Sequence, residues 1–241
     1  MRKNILKNMA QKITLSVTKK EQLNKNIYVV TFKLVSPPTI TFTSGQNMML
    51  MIGPGVNRTM SIASPPSSNT ELVMVHDISP MGPGSKWTIG LKVGDAAIVV
   101  APTGGALSFI DSPRKKVMVA TGTGVAPFRS MILDARYQNI VLYWGLRHED
   151  DIYWKEEFEN RLPFHLILSQ PTESWQGLKG HVTEHVIANE FKTPGRSPFG
   201  HLPGDQIEFY LCGNKAMIED VRAKLLEQNV PQEQIKSELF F

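Results

Sequence analysis

Three short segments of the sequence carry residues that could bind phosphate groups. The first is the run Val119–Pro127 (VATGTGVAP), in which an apolar strand leads into a glycine turn and then a helix. Glycines let the backbone approach a diphosphate closely, and a helix start offers unpaired N–H groups and a positive dipole end. Pro127 suits a first helical turn, where no amide proton is needed. An ordinary tight turn is the alternative, because the third glycine of the usual dinucleotide fingerprint is absent.

The other two segments lie earlier in the chain. Arg58–Pro65 (RTMSIASP) contains an arginine, which can bind a phosphate through two hydrogen bonds, and serines, which can bond to a phosphate or a heteroaromatic ring. Gly82–Ser85 (GPGS) is a turn of small residues at a predicted helix start, and so a second candidate anion site. Taken alone, Arg58 also fits a solvated charge at a strand edge.

Cysteine and histidine form no metal-site pattern, so no metal is predicted. The one cysteine, Cys212, excludes an internal disulfide, an all-cysteine zinc site and a four-cysteine iron–sulfur cluster within this chain. His181 and His185 are four residues apart on a predicted helix, but no second cluster accompanies them. By itself, Cys212 is best explained as a small buried residue.

Composition and charge exclude further classes. With 41% hydrophobic and 20% charged residues, the chain should fold around a packed core. The net charge of +4 favours an acidic small molecule or protein partner, but it is too weak to indicate nucleic acid. No apolar run is long enough to cross a bilayer, and the first twelve residues lack the apolar region of a secretory signal. We therefore expect a soluble cytoplasmic protein with no membrane insertion.

The elements that would position these segments change character near residue 112. Before it, apolar or β-branched runs separated by Gly- and Pro-rich turns predict an antiparallel barrel or sandwich. A helix is predicted over 84–95, with Ser85 as its N-cap and Gly94 as its stop. The predicted strands are 12–18, 26–34, 46–52, 70–77 and 96–100.

After residue 112, strands alternate with helices, which predicts βαβ units on a parallel sheet. The predicted strands are 115–120, 139–145, 164–169 and 207–213, the helices are 127–138, 151–162, 181–191 and 214–228, and an irregular loop covers 192–206. We expect two domains, 10–112 and 113–241.

The order of the motifs resembles one known superfamily. The segments RTMSIASPP, GPGSKWTIGLKVGD, APTGG, VMVATGTGVAPFRSMI, YWGLRHEDDIYW, YLCGNKAMIEDV and SELFF follow one another over about residues 12–241. In this order they resemble the ferredoxin–NADP reductase superfamily, whose flavin reductases have an FAD-binding antiparallel β-barrel followed by a nicotinamide-binding α/β domain. The resemblance implies FAD as cofactor and NADH or NADPH as electron donor.

The resemblance places the FAD site in the first domain. Arg58 would hold the FAD diphosphate, and Ser61 would act in catalysis near N5 of the flavin ring. Met60 departs from the family pattern, because a tyrosine usually stacks on the ring at that position; a methionine sulfur can also pack on an aromatic face. The implied FAD-binding residues are Arg58, Thr59, Met60, Ser61, Val75, His76, Asp77, Ile78, Gly82, Gly84 and Ser85.

The resemblance places the nicotinamide dinucleotide on the second domain. Cys212 would help to position the nicotinamide, and Phe240 would shield the flavin face, with simple core packing as the alternative for Phe240. NADPH-type relatives often have Ser-Arg after the third strand of this domain. Here Gln170 follows Ser169, and a neutral amide compensates a 2′-phosphate poorly, so NADH is favoured. The implied residues are Thr121, Gly122, Thr123, Gly124, Arg147, Ser169, Gln170, Cys212, Gly213 and Phe240; His148 and Lys179 could also meet a 2′-phosphate.

The implied activity is a flavin reductase that transfers hydride from NAD(P)H to FAD and passes electrons to a separate acceptor. An acidic carrier such as ferredoxin or flavodoxin would suit a basic protein. Three alternatives remain open. The chain could be the electron-transfer flavin subunit of a larger complex, a reductase of small acceptors such as quinones, ferric chelates or free flavin, or a non-catalytic nucleotide-binding module that has lost its flavin.

Overall fold

The chain forms two compact units. The computed structural model describes residues 10–110, 112–134, 139–191 and 207–239. The first, the barrel unit, contains the described residues up to Phe109 together with Arg129–Asp134. The second, the sheet unit, contains Ile110–Phe128 and the described residues from 139 onward.

The barrel unit is built from one antiparallel sheet. Its elements are β1 (Gln11–Gln22), β2 (Ile27–Ser36), β3 (Asn47–Gly53), β4 (Val56–Ser61), β5 (Glu71–Asp77), the helix α1 (Pro83–Gly90) and β6 (Ala96–Thr103). Within the described residues these six strands pair in the order β4-β3-β6-β1-β2-β5, and every pair is antiparallel.

Hydrogen bonds beyond the end of β4 join the two outer strands of this sheet. The N–H of Ala63 donates to the carbonyl of Val73 in β5 (2.8 Å), and the N–H of Val73 donates to Oγ of Ser64 (3.2 Å). The interior is apolar because alternate strand residues face inward. In β6, for example, Ala97, Val99 and Ala101 are buried. The predicted antiparallel barrel is confirmed.

The sheet unit is a parallel sheet. Its strands are β7 (Lys115–Thr121), β8 (Ile140–Leu146), β9 (Phe164–Leu168), β10 (Leu178–Lys179), β11 (Ile207–Gly213) and β12 (Ile235–Leu239). The helices of this half of the chain are α2 (Ala126–Ile132), α3 (Lys155–Glu159), α4 (Val182–Glu190) and α5 (Lys215–Glu227). In the described ranges the strand order is β10-β9-β8-β7-β11-β12, with every pair parallel.

Apolar side chains cover both faces of this sheet, as a parallel sheet requires. On one face, α4 and α5 pack on alternate residues such as Val117 and Val119 of β7. On the other face, Trp144 of β8 meets the rings of Tyr153 (4.9 Å between centroids) and Phe158 (5.9 Å) edge-on. The predicted parallel α/β fold is confirmed.

The predicted start and end of α1 were wrong. Gly82, not Ser85, is the N-cap residue, and Ser85 is buried inside the helix. The helix stops at Gly90 because Leu91 turns to an extended conformation (ψ 140°), so it ends four residues before the predicted stop at Gly94. Lys20 of β1 binds this end through hydrogen bonds from Nζ to the carbonyls of Ile89 (2.6 Å) and Leu91 (2.9 Å).

Other elements differ in length or were missed. The helix predicted over 151–162 is reduced to α3, because Trp154 takes a left-handed conformation (φ 54°) immediately before it. The strand β4 was missed because Asn57, Arg58 and Thr59, which follow its first residue, are polar and exposed, so the segment lacks an apolar pattern. Strands β10 and β12 were also missed. No helix in the described part of the chain has the length and apolar character needed to cross a membrane.

Candidate functional site

Three of the predicted FAD-site residues meet at the start of α1. They come from separate elements: Arg58 from β4, His76 from β5 and Gly84 from the first turn of α1. A Cβ atom added to Gly84 would lie 3.2 Å from Cγ of Arg58 and 3.4 Å from Cε1 of His76. Glycine therefore leaves room at the point where a guanidinium, an imidazole and a helix N-terminus converge.

This helix start has the chemistry of an anion site. Pro83 has no amide proton, the N–H of Lys86 bonds to the carbonyl of Gly82 (3.0 Å), and no side chain among the described residues caps the helix. The first-turn N–H groups of Gly84 and of the residue after it have no partner within the helix. Arg58 is exposed and uses Nη1 for a bond to the carbonyl of Asn57 (2.7 Å). A guanidinium has five N–H donors, so further donors can serve a phosphate.

His76 connects this cluster to the middle of α1. Its Nδ1 lies 2.8 Å from Oγ1 of Thr88. Burial lowers the pKa of His76 below its usual value of 6.5, and the Arg58 charge lowers it further, while Asp77 opposes the shift. The imidazole is therefore neutral at pH 7 and carries one N–H.

The residues following Arg58 are divided between the surface and the barrel interior. Thr59 is exposed, whereas Met60 packs into the barrel core with 8% of its surface exposed. Ser61 is buried at 3% exposure, and its hydroxyl donates to Oδ1 of Asn47 (3.0 Å). Met60 thus offers little surface to a stacked ring in this conformation. The flavin contacts of Met60 and Ser61 stay predictions.

The contacts of the other residues predicted for this site lie mainly within the barrel unit itself. Val75 and Ile78 are buried apolar residues. The half-buried Asp77 accepts a hydrogen bond from the N–H of Ser79 (2.8 Å). A Cβ on Gly82 would meet no atom within 4 Å, so space does not require glycine there.

The second group of predicted residues lies where the strand order of the sheet unit reverses. The chain proceeds from β7 to β8 and β9 on one side, whereas β11 and β12 lie on the other. Ligands of open α/β sheets bind outside the carboxyl ends of the strands at such a point. The glycine turn 121–124 follows β7, and Cys212 and Gly213 end β11. The structure therefore brings both predicted segments to the expected crevice.

Close packing explains two of these glycines. A Cβ on Gly124 would overlap the carbonyl group of Cys212 and lie 2.8 Å from Cα of Gly213. A Cβ on Gly213 would overlap Oγ1 of Thr121 and lie 2.9 Å from the Thr121 nitrogen. The φ of Gly213 is also +150°, within the range that favours glycine. Neither position has room for a larger residue.

Side chains outside the predicted set hold this junction. Nε1 of Trp144 donates to the carbonyl of Gly122 (2.9 Å). The φ of Gly122 is +53°, in the left-handed region that favours glycine. Thr121 Oγ1 lies within bonding distance of the backbone N–H (3.1 Å) and the side-chain amide (3.2 Å) of Asn214. Asn214 also caps α5 by accepting from the N–H of Met217 (2.9 Å). The sequence analysis missed Asn214, although an asparagine immediately before a helical pattern is an N-cap signal.

Cys212 lies inside the sheet with 0% of its surface exposed. Its register partners are Ala120 of β7 and Glu238 of β12. Burial raises the pKa of the Cys212 thiol well above its usual value of 9.0, and the Glu238 carboxylate raises it further. The thiol is therefore protonated at neutral pH, which does not suit a nucleophile. A role in positioning the nicotinamide stays a prediction.

The predicted ribose residues lie together at the carboxyl ends of β8 and β9. The N–H of Gln170 donates to the carbonyl of Arg147 (2.9 Å), and the Gln170 carbonyl accepts a hydrogen bond from Nδ1 of His148 (2.7 Å). Ser169 bonds to the carbonyl of Leu146 through its N–H (3.0 Å). The side chains of Arg147 and Gln170 are exposed. Phe240 lies outside the described residues, and the described residues contain no cluster of three metal-binding side chains.

Comparisons with known proteins agree with this geometry. Residues 118–223 match the model of the family described as oxidoreductase NAD-binding domain. Ferredoxin–NADP reductase B from Sorangium cellulosum is 28% identical over 227 residues, which cover 88% of this chain and 90% of that protein. The electron transfer component of anthranilate 1,2-dioxygenase from Acinetobacter baylyi is 29% identical, covering 83% of this chain and 59% of that protein.

A solved structure extends the likeness to the fold of both units. A ferredoxin–NADP⁺ reductase from Neisseria gonorrhoeae with bound FAD and NADP superposes with a TM-score of 0.78 at 21% identity. The match covers 97% of this chain and 100% of that one. The chain is thus similar in sequence to ferredoxin–NADP reductases and to electron transfer components of oxygenases, it matches the oxidoreductase NAD-binding domain over residues 118–223, and it shares the fold of both units with a ferredoxin–NADP⁺ reductase.

Proposed function

We propose that this chain is a flavin-dependent oxidoreductase that takes a hydride from NADH or NADPH onto FAD and passes the electrons to a separate acceptor. The observation that carries the proposal is a pair of residue clusters, one in each unit, whose groups suit nucleotide phosphates. Arg58, His76 and Gly84 converge at the start of α1 in the barrel unit. The glycine junction of Gly124 and Gly213 lies at the strand reversal of the sheet unit.

The barrel residues fit an FAD diphosphate. Arg58 supplies positive charge, the start of α1 supplies N–H groups, and Gly84 keeps the space beside Arg58 and His76 clear. When bound, FAD accepts a hydride from a nicotinamide and releases electrons singly or in pairs. The chain's part is to bind and orient, and no side chain has to move a proton in the hydride step.

The sheet residues fit a nicotinamide dinucleotide. The turn 121–124 would hold the diphosphate, with Thr121 and Gly213 keeping the junction narrow. Gln170 would face the adenosine ribose, where its neutral amide favours NADH. The buried, protonated Cys212 supports packing beside the nicotinamide rather than covalent chemistry.

The proposed acceptor is an acidic carrier protein such as ferredoxin or flavodoxin. Relatives of this chain include a ferredoxin–NADP reductase and an electron transfer component of a dioxygenase, and both names denote electron transfer that involves another protein. Residues 1–110 contain 11 Lys and Arg against 4 Asp and Glu, whereas residues 111–241 contain 15 against 18. The basic charge is concentrated in the half that would carry the flavin, so an acidic partner is expected to dock there.

We place this activity in the cytoplasm. The chain's one cysteine is buried and unpaired, which is consistent with a reducing compartment.

Anaerobic rapid mixing tests the proposed function. The purified chain should contain FAD, and the flavin absorbance should bleach after mixing with NADH and more slowly with NADPH. The reduced protein should then reduce a ferredoxin or flavodoxin faster at low salt than at high salt, because the attraction is electrostatic. A colourless chain that refuses added FAD would contradict the proposal. Turnover with quinones or ferric chelates but not with either carrier would indicate a reductase of small acceptors.

A further inference from the structure

We propose that Thr88 is a positioning residue that fixes the tautomer of His76, so that Nε2–H of His76 donates to the FAD diphosphate. The proposal rests on the FAD-binding function proposed for the barrel unit. It assigns a role to Thr88, which contributes no charge and lies one helical turn beyond the expected anion site.

The geometry of α1 orients the imidazole. Gly84 and Thr88 are four residues apart, so they lie on the same face of the helix, one turn from each other. Nδ1 of His76 lies 2.8 Å from Oγ1 of Thr88, and Cε1 would lie 3.4 Å from a Cβ on Gly84. Because Cε1 separates the two ring nitrogens, an Nδ1 directed at Thr88 leaves Nε2 toward the helix start, where Arg58 also lies.

A neutral imidazole can help an anion only in one tautomer. If the Thr88 hydroxyl donates to Nδ1, the proton must be on Nε2, which then donates to a phosphate oxygen. If Nδ1 carries the proton instead, Nε2 presents a lone pair to the phosphate and repels it. Thr88 is fully buried, so water does not compete for its hydroxyl.

The surroundings of His76 keep the ring neutral before FAD binds. The charged groups that act on it are Arg58 of β4, which disfavours protonation, and Asp77 of its own strand, which favours it. Burial, the largest effect, also disfavours protonation and outweighs Asp77, so the pKa of His76 is lowered. On β2, the register partner is Tyr28, and from α1 the contacting polar group is Thr88. A single N–H is therefore available, and its position on the ring decides whether it reaches the anion.

The variant Thr88→Val tests this role, because it removes the hydroxyl and keeps the shape. Equilibrium titration of FAD into the 241-residue chain, stripped of flavin, should show about tenfold weaker binding, the effect of losing one hydrogen bond to a charged group. Thr88→Ser should restore binding to within about twofold of the original chain. Thr18→Val is the matched control, since Thr18 is an exposed barrel threonine outside the site, and it should bind FAD as the original chain does.

Nitrogen-15 NMR of the imidazole measures the tautomer of His76 directly, and this tautomer would not change if Thr88 only stabilised the fold. The original chain should show His76 as the Nε2–H tautomer, and Thr88→Val should show a mixture of both tautomers. An Nδ1–H tautomer in the original chain would overturn the proposal even if the valine variant failed to fold. Equal FAD affinity in the original chain and a folded Thr88→Val would also overturn it. An original chain that binds no FAD would refute the proposed function itself, and the role of Thr88 with it.

Discussion

Replacing Gly124 by alanine should break the junction between β7 and β11. The added Cβ would overlap the carbonyl of Cys212, which is backbone near the end of β11 and cannot move aside as a flexible side chain would. Overpacking of this kind costs about 1 to 3 kcal/mol, and the backbone contact places Gly124→Ala near the upper end. We expect the free energy of unfolding to fall by about 2 to 3 kcal/mol, which at about 4 °C per kcal/mol lowers the melting temperature of the sheet unit by about 8 to 12 °C.

Differential scanning calorimetry and NADH binding measure the two consequences separately. The transition of the sheet unit should move to lower temperature, and NADH affinity should fall because the turn 121–124 has to shift. Gly90→Ala is the control, since a Cβ there would meet no atom within 4 Å. It should leave NADH binding unchanged and should not lower the melting temperature. If Gly124→Ala keeps the original stability and NADH affinity, then the close approach of Gly124 to the end of β11 is not the reason for glycine at this position.

Three other substitutions and one labelling experiment test the sites. Arg58→Ala should weaken FAD binding about 10- to 100-fold in a fluorescence titration, with little change in melting temperature because Arg58 is exposed; full flavin occupancy would contradict its role. Gln170→Arg should raise the ratio of NADPH to NADH turnover, and an unchanged ratio would place Gln170 away from the ribose. The lowered pKa of His76 means that the unfolded chain takes up its proton first as pH falls, so stability should decline below about pH 6.5, and His76→Gln should flatten this decline in urea titrations. Cys212 should resist iodoacetamide in the native chain and react in urea, and native labelling would contradict its burial.

The sequence was informative where local chemistry determines structure. Periodicity and turn residues predicted both sheets, because a strand pattern depends on which residues face the core. The glycine turn after β7 was predictable from its own residues and from the helix that follows. The superfamily resemblance brought together Arg58, His76 and Gly84, which lie in three separate elements that no local pattern connects.

What the sequence did not reveal depends on contacts between distant residues. The end of α1 was misplaced because Lys20, almost seventy positions earlier, binds the carbonyl of Ile89 and so stabilises an early stop. The burial of Met60 in the barrel core and the bond from Trp144 to Gly122 also depend on tertiary packing. The assignments of the site residues to FAD and to the nicotinamide, and the domain boundary at residue 112, stay predictions.

The bond between Lys20 and the end of α1 has a consequence for the order of folding. A helix of eight residues is too short to persist alone in water, where about 12 to 15 residues are marginal. Because β1 supplies Lys20, α1 gains this support only once the amino-terminal strand has joined the barrel. The proposed site for the FAD diphosphate, at the start of α1, should therefore become stable only after β1 has paired within the barrel.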